Sequence, residues 1–274
     1  MSSASLPLAL LIVLVELTVG TLWVLLLPQA RRNAAASFIR FSAVLVFVMS
    51  AITFFLGSGI SVGTSVDGYP LDNFWMLEAR SALAALFAGS GLYAYATYRE
   101  HHRAALVLGV IAGVCGLGVL GSLAAVFSIP TWGYPLTLAA FVLGAIAVGA
   151  VTNGMTLGHW YLVTPRLPEQ PLREITGLLV IVLIVQALFI IPALLLPRDT
   201  IHSSVHTGIL SNPFFWLRVG LGLGFPAGLA WMAYDSSGVR AMQSATGLLY
   251  LAMVLVICGQ VVANGLLFVS AVPN

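Results

Sequence analysis

The sequence predicts an all-α integral membrane protein of eight transmembrane helices, built as two parallel-duplicated four-helix bundles with both termini outside. Three observations carry this expectation. The 274-residue chain is 60% hydrophobic and 7% charged, more apolar side chain than a soluble fold of this size can hide. Its arginines cluster at alternate connections between apolar runs. Its two halves resemble each other in several short, ordered segments.

A membrane helix needs about 20 apolar residues, and eight runs qualify. The first, about 6–27, follows no basic leader and contains no small-residue cleavage site, so it reads as a retained span. Spans two to four are expected at about 36–57, 74–98 and 104–128. Spans five to eight follow at about 134–163, 174–196, 213–234 and 241–270. The short connections leave no room for a soluble domain. Arg31, Arg32, Arg99, Arg103, Arg166, Arg173 and Arg240 fall at alternate connections, which places those in the cytoplasm. The opposite connections carry only Arg198, with Asp67, Asp72 and Asp199. Both termini are then expected on the outer face of the membrane.

The duplication rests on four matches. "VCGLGVLGSLAAVFSIP" (114–130) aligns without gaps to "ICGQVVANGLLFVSAVP" (257–273). "NFWMLEAR" (73–80) resembles "NPFFWLR" (212–218), and "TVGTLWVLLLP" (18–28) resembles "TLGHWYLVTP" (156–165). Arg40 has its counterpart in Arg173. The units are expected at residues 1–133 and 134–274. A parallel repeat with an even number of spans differs from the inverted repeats of many transporters.

Composition also excludes. A net charge of +2 without a basic tail argues against nucleic acid as a partner. Cys115 and Cys258 lie in apolar runs with no metal-ligand spacing, and read as inert core residues.

Few polar residues are left to carry chemistry. Arg80 and Arg218 stand at equivalent places, about 10 Å inside the outer ends of spans three and seven. Either they snorkel to the interface, or they bind an anionic or carbonyl-bearing ligand or pair with Glu78. Glu78 lies on a different helix face from Arg80, so Arg218 is expected to be its better partner. Glu16, near the middle of span one, has Asn153 as its repeat equivalent. The two read as interhelical hydrogen-bond partners, with proton relay as the functional alternative. Gln186, Gln260 and Asn264 read as helix–helix glue. His159, in "TNGMTLGHWYLVTPR" (152–166), has no second histidine within a span, so no haem is expected in the isolated chain. Its expected role is a hydrogen bond to backbone or to neighbouring tryptophan. His101 and His102 read as solvated residues at a cytoplasmic turn. His202 and His206 are spaced i, i+4 on the outer connection, a weak metal signal that equally suits donation to a ligand. No metal is expected.

Several outer segments together resemble a family. "IPTWGYP" (129–135), "TIHSSV" (200–205), "FWLR" (215–218) and "CGQVVANGLLF" (258–268) are similar to the membrane anchor of bacterial dimethyl sulfoxide reductase, within the polysulfide-reductase membrane-subunit superfamily. The resemblance implies an anchor that exchanges electrons between the quinone pool (menaquinone or ubiquinone) and an iron–sulfur subunit, which serves a catalytic oxidoreductase subunit. Glu78 falls where the family has a quinol-contacting Glu and is the implied proton acceptor. Arg80, Arg218, His202, His206 and His159 are the candidate quinone contacts. The chain departs from the family in "FFLGSG" (54–59), which has no titratable group where the family carries a His. Two readings from other classes compete: a solute or ion transporter, and a site-free structural or assembly subunit. A transporter calls for a polar midplane path and broken helices, and the sequence shows no Gly/Pro break common to both halves.

Overall fold

The computed structural model describes residues 5–60, 63–66, 69–128, 133–164, 167–195, 210 and 212–270. Long helices dominate: α1 (Ser5–Arg31), α2 (Ala36–Gly59), α3 (Phe74–Tyr98), α4 (His102–Phe127), α5 (Gly133–Val163) and α6 (Gln170–Leu195). The next span is composite, with α7 (Pro213–Leu217) running through a π-helical segment (Arg218–Gly224) into α8 (Phe225–Gly238). The last span is α9 (Met242–Ser270). Seven of these spans are long and apolar enough to cross a membrane. The eighth, α3, has the length but is more polar, carrying Glu78 and Arg80. The protein is a multi-pass α-helical membrane protein. Large apolar side chains such as Phe55, Leu77, Val114 and Val254 turn outward, where lipid rather than water solvates them.

Helices α1–α4 close a ring, each packing on the next and α4 returning to α1. A second ring is formed by α5, α6, α8 and α9, with α9 returning to α5. The rings meet chiefly along α1 and α5. At that crossing a Cβ on Gly20 would lie 1.7 Å from the Ala145 carbonyl oxygen, and one on Gly149 would lie 2.1 Å from the Gly20 backbone. Only glycine permits such backbone contact, the close approach by which membrane helices gain dispersion energy. Asn153 ties the same crossing, donating from Nδ2 to the Thr21 carbonyl across the interface (3.0 Å) and to Gly149 within α5 (2.9 Å).

Within the first ring, small polar groups bridge neighbouring helices. Thr18 meets Thr53 at 3.1 Å and Ser50 meets Ser90 at 2.6 Å, while the Trp23 indole donates to the Gly113 carbonyl at 3.0 Å. The connection after α2 carries a minimal hairpin, β1 (Ser65–Val66) against β2 (Tyr69–Pro70). Its Tyr69 is fully buried, donates to the Phe127 carbonyl and packs edge-on against Phe268 of α9. Burial raises the pKa of that hydroxyl well above the ordinary phenol value.

Opposite the hairpin lies the charged face. Arg31 pairs with Glu174 at 2.5 Å, Arg40 with Glu100 at 2.6 Å and Arg240 with Glu169 at 3.3 Å. Arg173 also lies over the Tyr234 ring, 4.9 Å from its centroid. Cys115 is half-buried and Cys258 is exposed on α9, so Cys258 is not the core residue its apolar surroundings suggest.

Candidate functional site: a buried carboxyl and guanidinium

Glu16 is fully buried on α1, and α9 reaches it with two donors. Gln260 Nε2 and Asn264 Nδ2 each donate to Glu16 Oε2 at 3.2 Å. Their i, i+4 spacing puts both amides on one face of α9. Gln186 of α6 extends the chain, its Nε2 lying 3.4 Å from Gln260 Oε1. Glu16 is about 16 Å from the start of α1, and Gln260 about 15 Å from the end of α9, at the helical rise per residue. The cluster therefore sits on the hairpin side of the membrane's middle.

Arg218 completes it. The side chain is 1% exposed and interacts electrostatically with Glu16 without direct contact. The π segment explains how so large a cation enters. Phe225 N–H bonds back to Gly220, one residue further than in an α-helix, and Pro226 has no N–H to offer the Gly222 carbonyl. The Gly222 carbonyl accepts from Arg218 Nη1 instead, at 3.4 Å. Gly222 and Gly259 then touch: a Cβ on Gly259 would lie 2.5 Å from Gly222 Cα and 3.1 Å from Arg218 Nη1.

Not every valence is used. Glu16 Oε1, Gln186 Oε1, Arg218 Nε and Arg218 Nη2 are buried without a hydrogen-bond partner. Such groups are costly in hydrocarbon and mark functional positions. The space around them is tight. A Cβ on Gly144 would lie 2.1 Å from Gln260 Nε2 and 2.6 Å from Glu16 Oε1, so a proton fits here and an aromatic ring does not.

The residues singled out from sequence are thus dispersed. Arg218 is neither a snorkelling residue nor joined to Glu78: α3 packs on α2 and α4, whereas the π segment packs on α6, α8 and α9. Arg80 turns sideways and donates from Nη2 to the Ile60 carbonyl at 2.6 Å, capping α2. Glu78 is half-buried, and its Oε2 is buried without a partner. Glu16 and Asn153 are not partners: the Asn153 amide nitrogen serves the α1–α5 crossing, and its Oδ1 is buried without a hydrogen-bond partner. His159 is exposed, and its Nδ1 lies 3.3 Å from the Tyr250 hydroxyl rather than against backbone or tryptophan. His202 and His206 lie outside the described residues. The Glu16–Arg218 meeting was missed, although "GQVVANG" (259–265) and "RVGLGLGFP" (218–226) carried its signal.

A groove of about 800 Å³ lies among α3, α4 and α5 on the hairpin side. Trp75, Tyr134 and Leu117 line it along with Asp72, Ser122 and Ser128. Glu78 follows Trp75 by three residues, on the same side of α3.

No family model, no curated protein and no solved structure matches this chain.

Proposed function

We propose that the protein is a quinone- or quinol-interacting anchor subunit of a respiratory oxidoreductase, with Glu16 as its internal proton-binding group. On this reading the two rings are a parallel duplication, the charged face is cytoplasmic and both termini are on the outer side. An iron–sulfur subunit is the electron partner and serves a catalytic subunit. The observation that carries the proposal is the buried Glu16 carboxyl with Arg218, Gln260 and Asn264 around it. Two of the segments resembling the anchor family, "FWLR" and "CGQVVANGLLF", supply those three residues.

A quinone supplies two-electron, two-proton chemistry when bound. The groove beside Trp75 and Tyr134 has the size and the mixed aromatic and hydroxyl lining that a ring with polar oxygens calls for. Tyr134 and the serines are donors to carbonyl oxygens there, and Asp72 is an acceptor for protons, with Glu78 one helical turn beyond Trp75. Helix α1, which carries Glu16, packs on α4 and α5 behind the groove. Arg218 keeps a cation near Glu16 while the amides hold one carboxylate oxygen, leaving Oε1 to take the proton.

A transporter is the second reading, favoured by one observation: the π segment interrupts a span beside the buried carboxyl, as broken helices do at transport sites. Glu16→Gln separates the two. In protein purified with its native partners, the variant is expected to assemble and retain quinone but lose quinol-coupled turnover by about 10²-fold or more, the scale of a lost acid–base group. Wild-type turnover in Glu16→Gln sinks the proposal. A preparation without quinone or redox partners, whose Glu16-dependent activity is proton-coupled flux in vesicles, establishes the transporter instead.

A further inference from the structure

On the charged face a cleft of about 270 Å³ opens between the end of α1, the start of α2 and the α3–α4 turn. We infer that it binds the phosphate group of an anionic ligand at the level of the lipid headgroups. The inference is independent of the redox reading.

The cleft's polar lining consists of Gln29, Arg32, Arg40, Thr97, Glu100 and His102. Most of these groups offer hydrogen-bond donors. Tyr93 donates to Gln29 Oε1 at 2.6 Å, which fixes the buried amide with its N–H groups uncommitted. Arg32 donates from Nε to His102 Nε2 at 3.0 Å, leaving the two terminal nitrogens of its guanidinium free. By accepting at Nε2, His102 carries its proton on Nδ1 as one more donor. Glu100 occupies one edge of Arg40, and the lining retains one positive charge beyond that ion pair. A phosphate fits this donor set: it has several acceptor oxygens and matches the guanidinium fork.

The backbone supplies a second, independent observation. Arg32 and Glu100 are both left-handed, with φ of 54° and 61°, at helix ends where glycine is favoured. A large side chain there costs backbone energy, and both of these line the same cleft. Glu100 is held by its ion pair with Arg40, as the third such residue, Arg240, is by its ion pair with Glu169 and its bond to the Leu167 carbonyl, which leaves Arg32 as the strained residue aimed at the cleft. Basic pockets between membrane helices are general sites for anionic headgroups.

The phosphate can come from an anionic lipid or from a soluble compound, and the experiment separates them. The full-length protein is purified, delipidated and exposed to phosphatidylglycerol vesicles, phosphatidylcholine vesicles or inorganic phosphate, with retained lipid and thermal stability measured. Phosphatidylglycerol is expected to be retained preferentially and to raise Tm. Arg32→Gln should cut that retention roughly fivefold, the worth of one arginine near a charged surface. Gln29→Glu keeps the acceptor for Tyr93 but replaces the amide donors with a carboxylate, and should cut retention with the fold intact. Arg240→Gln, outside the cleft, should leave it unchanged. Stabilisation by inorganic phosphate that Arg32→Gln abolishes, without lipid preference, supports the same site with a soluble source. Equal retention of both lipids with no phosphate response, or undiminished retention in Arg32→Gln and Gln29→Glu, overturns the inference.

Discussion

Arg80 and Arg218 occupy matching places in "NFWMLEAR" and "NPFFWLR", yet the two rings use them in opposite ways. Arg80 stays half-exposed and caps the end of α2 through the Ile60 carbonyl. Arg218 is drawn into the second ring beside Glu16. The arginines are the same; the chain that follows them differs. After Arg80 the sequence continues as "SALAALF", which sustains a regular α-helix. After Arg218 it reads "VGLGLGFP", whose proline withholds a backbone donor and whose glycines let α9 approach. Two similar segments can therefore differ in use, one structural and the other part of a buried charge cluster.

The sharpest way to break this contrast is to remove each arginine. Arg218→Leu removes the buried cation beside Glu16 and its bond to the Gly222 carbonyl and should destabilise by about 1.5–3 kcal/mol. Arg80→Leu loses one hydrogen bond at a helix end and should cost about 1 kcal/mol. Reversible denaturant unfolding in bicelles reads both, and equal losses would end the distinction.

Gly259→Ala tests how the second ring admits its arginine. The new methyl, 2.5 Å from Gly222 Cα, must push the π segment off α9, at about 1–3 kcal/mol. Faster hydrogen exchange is expected over residues 218–226 and not over the Arg80 helix. If exchange spreads evenly over both rings, the contact at Gly222 is not what holds the break.

Asn153→Ala addresses the seam between the rings. It removes the donor to Thr21 across the α1–α5 crossing, a loss of roughly 0.6–2 kcal/mol in a membrane setting. On the proposed function, quinol turnover should persist, because no hydrogen bond joins Asn153 to Glu16. The smallest effect belongs to Glu174→Ala, which breaks the partly exposed Arg31 pair. Less than about 1 kcal/mol is expected, shrinking further as salt is added.

Much of the fold was legible residue by residue. The span boundaries fall within a few residues of the apolar runs, and the run 213–234 predicts the composite span Pro213–Gly238 as one element. The π break inside it is less legible, because no Gly/Pro break is common to both halves and only the second carries Gly220, Gly222, Gly224 and Pro226. The cluster was less legible still. Glu16, Arg218, Gln260 and Asn264 each stand out in the sequence, but repeat logic matches Glu16 to Asn153 and helix facing matches Arg218 to Glu78, whereas Glu16 meets Gln260 and Asn264. Repeat equivalence relates positions within each unit. It does not say which positions meet across the seam, and the Glu16 contacts run from the first ring to the last helix.

The apolar runs are enough to establish that the chain crosses the membrane many times. A bilayer admits backbone only as helix or closed barrel, and an apolar run of about 20 residues is the length of a helix, written along one dimension. Which way each helix turns is not written there. Lipid is as apolar as a protein core, so no stripe of hydrophobic side chains tells a spanning helix which face is inside. Facing is settled by close backbone approach, at Gly20 with Gly149 and at Gly222 with Gly259, and by the few polar groups that must find one another. Glu16 and Arg218, 202 positions apart in the chain, become neighbours only when those contacts act together in three dimensions.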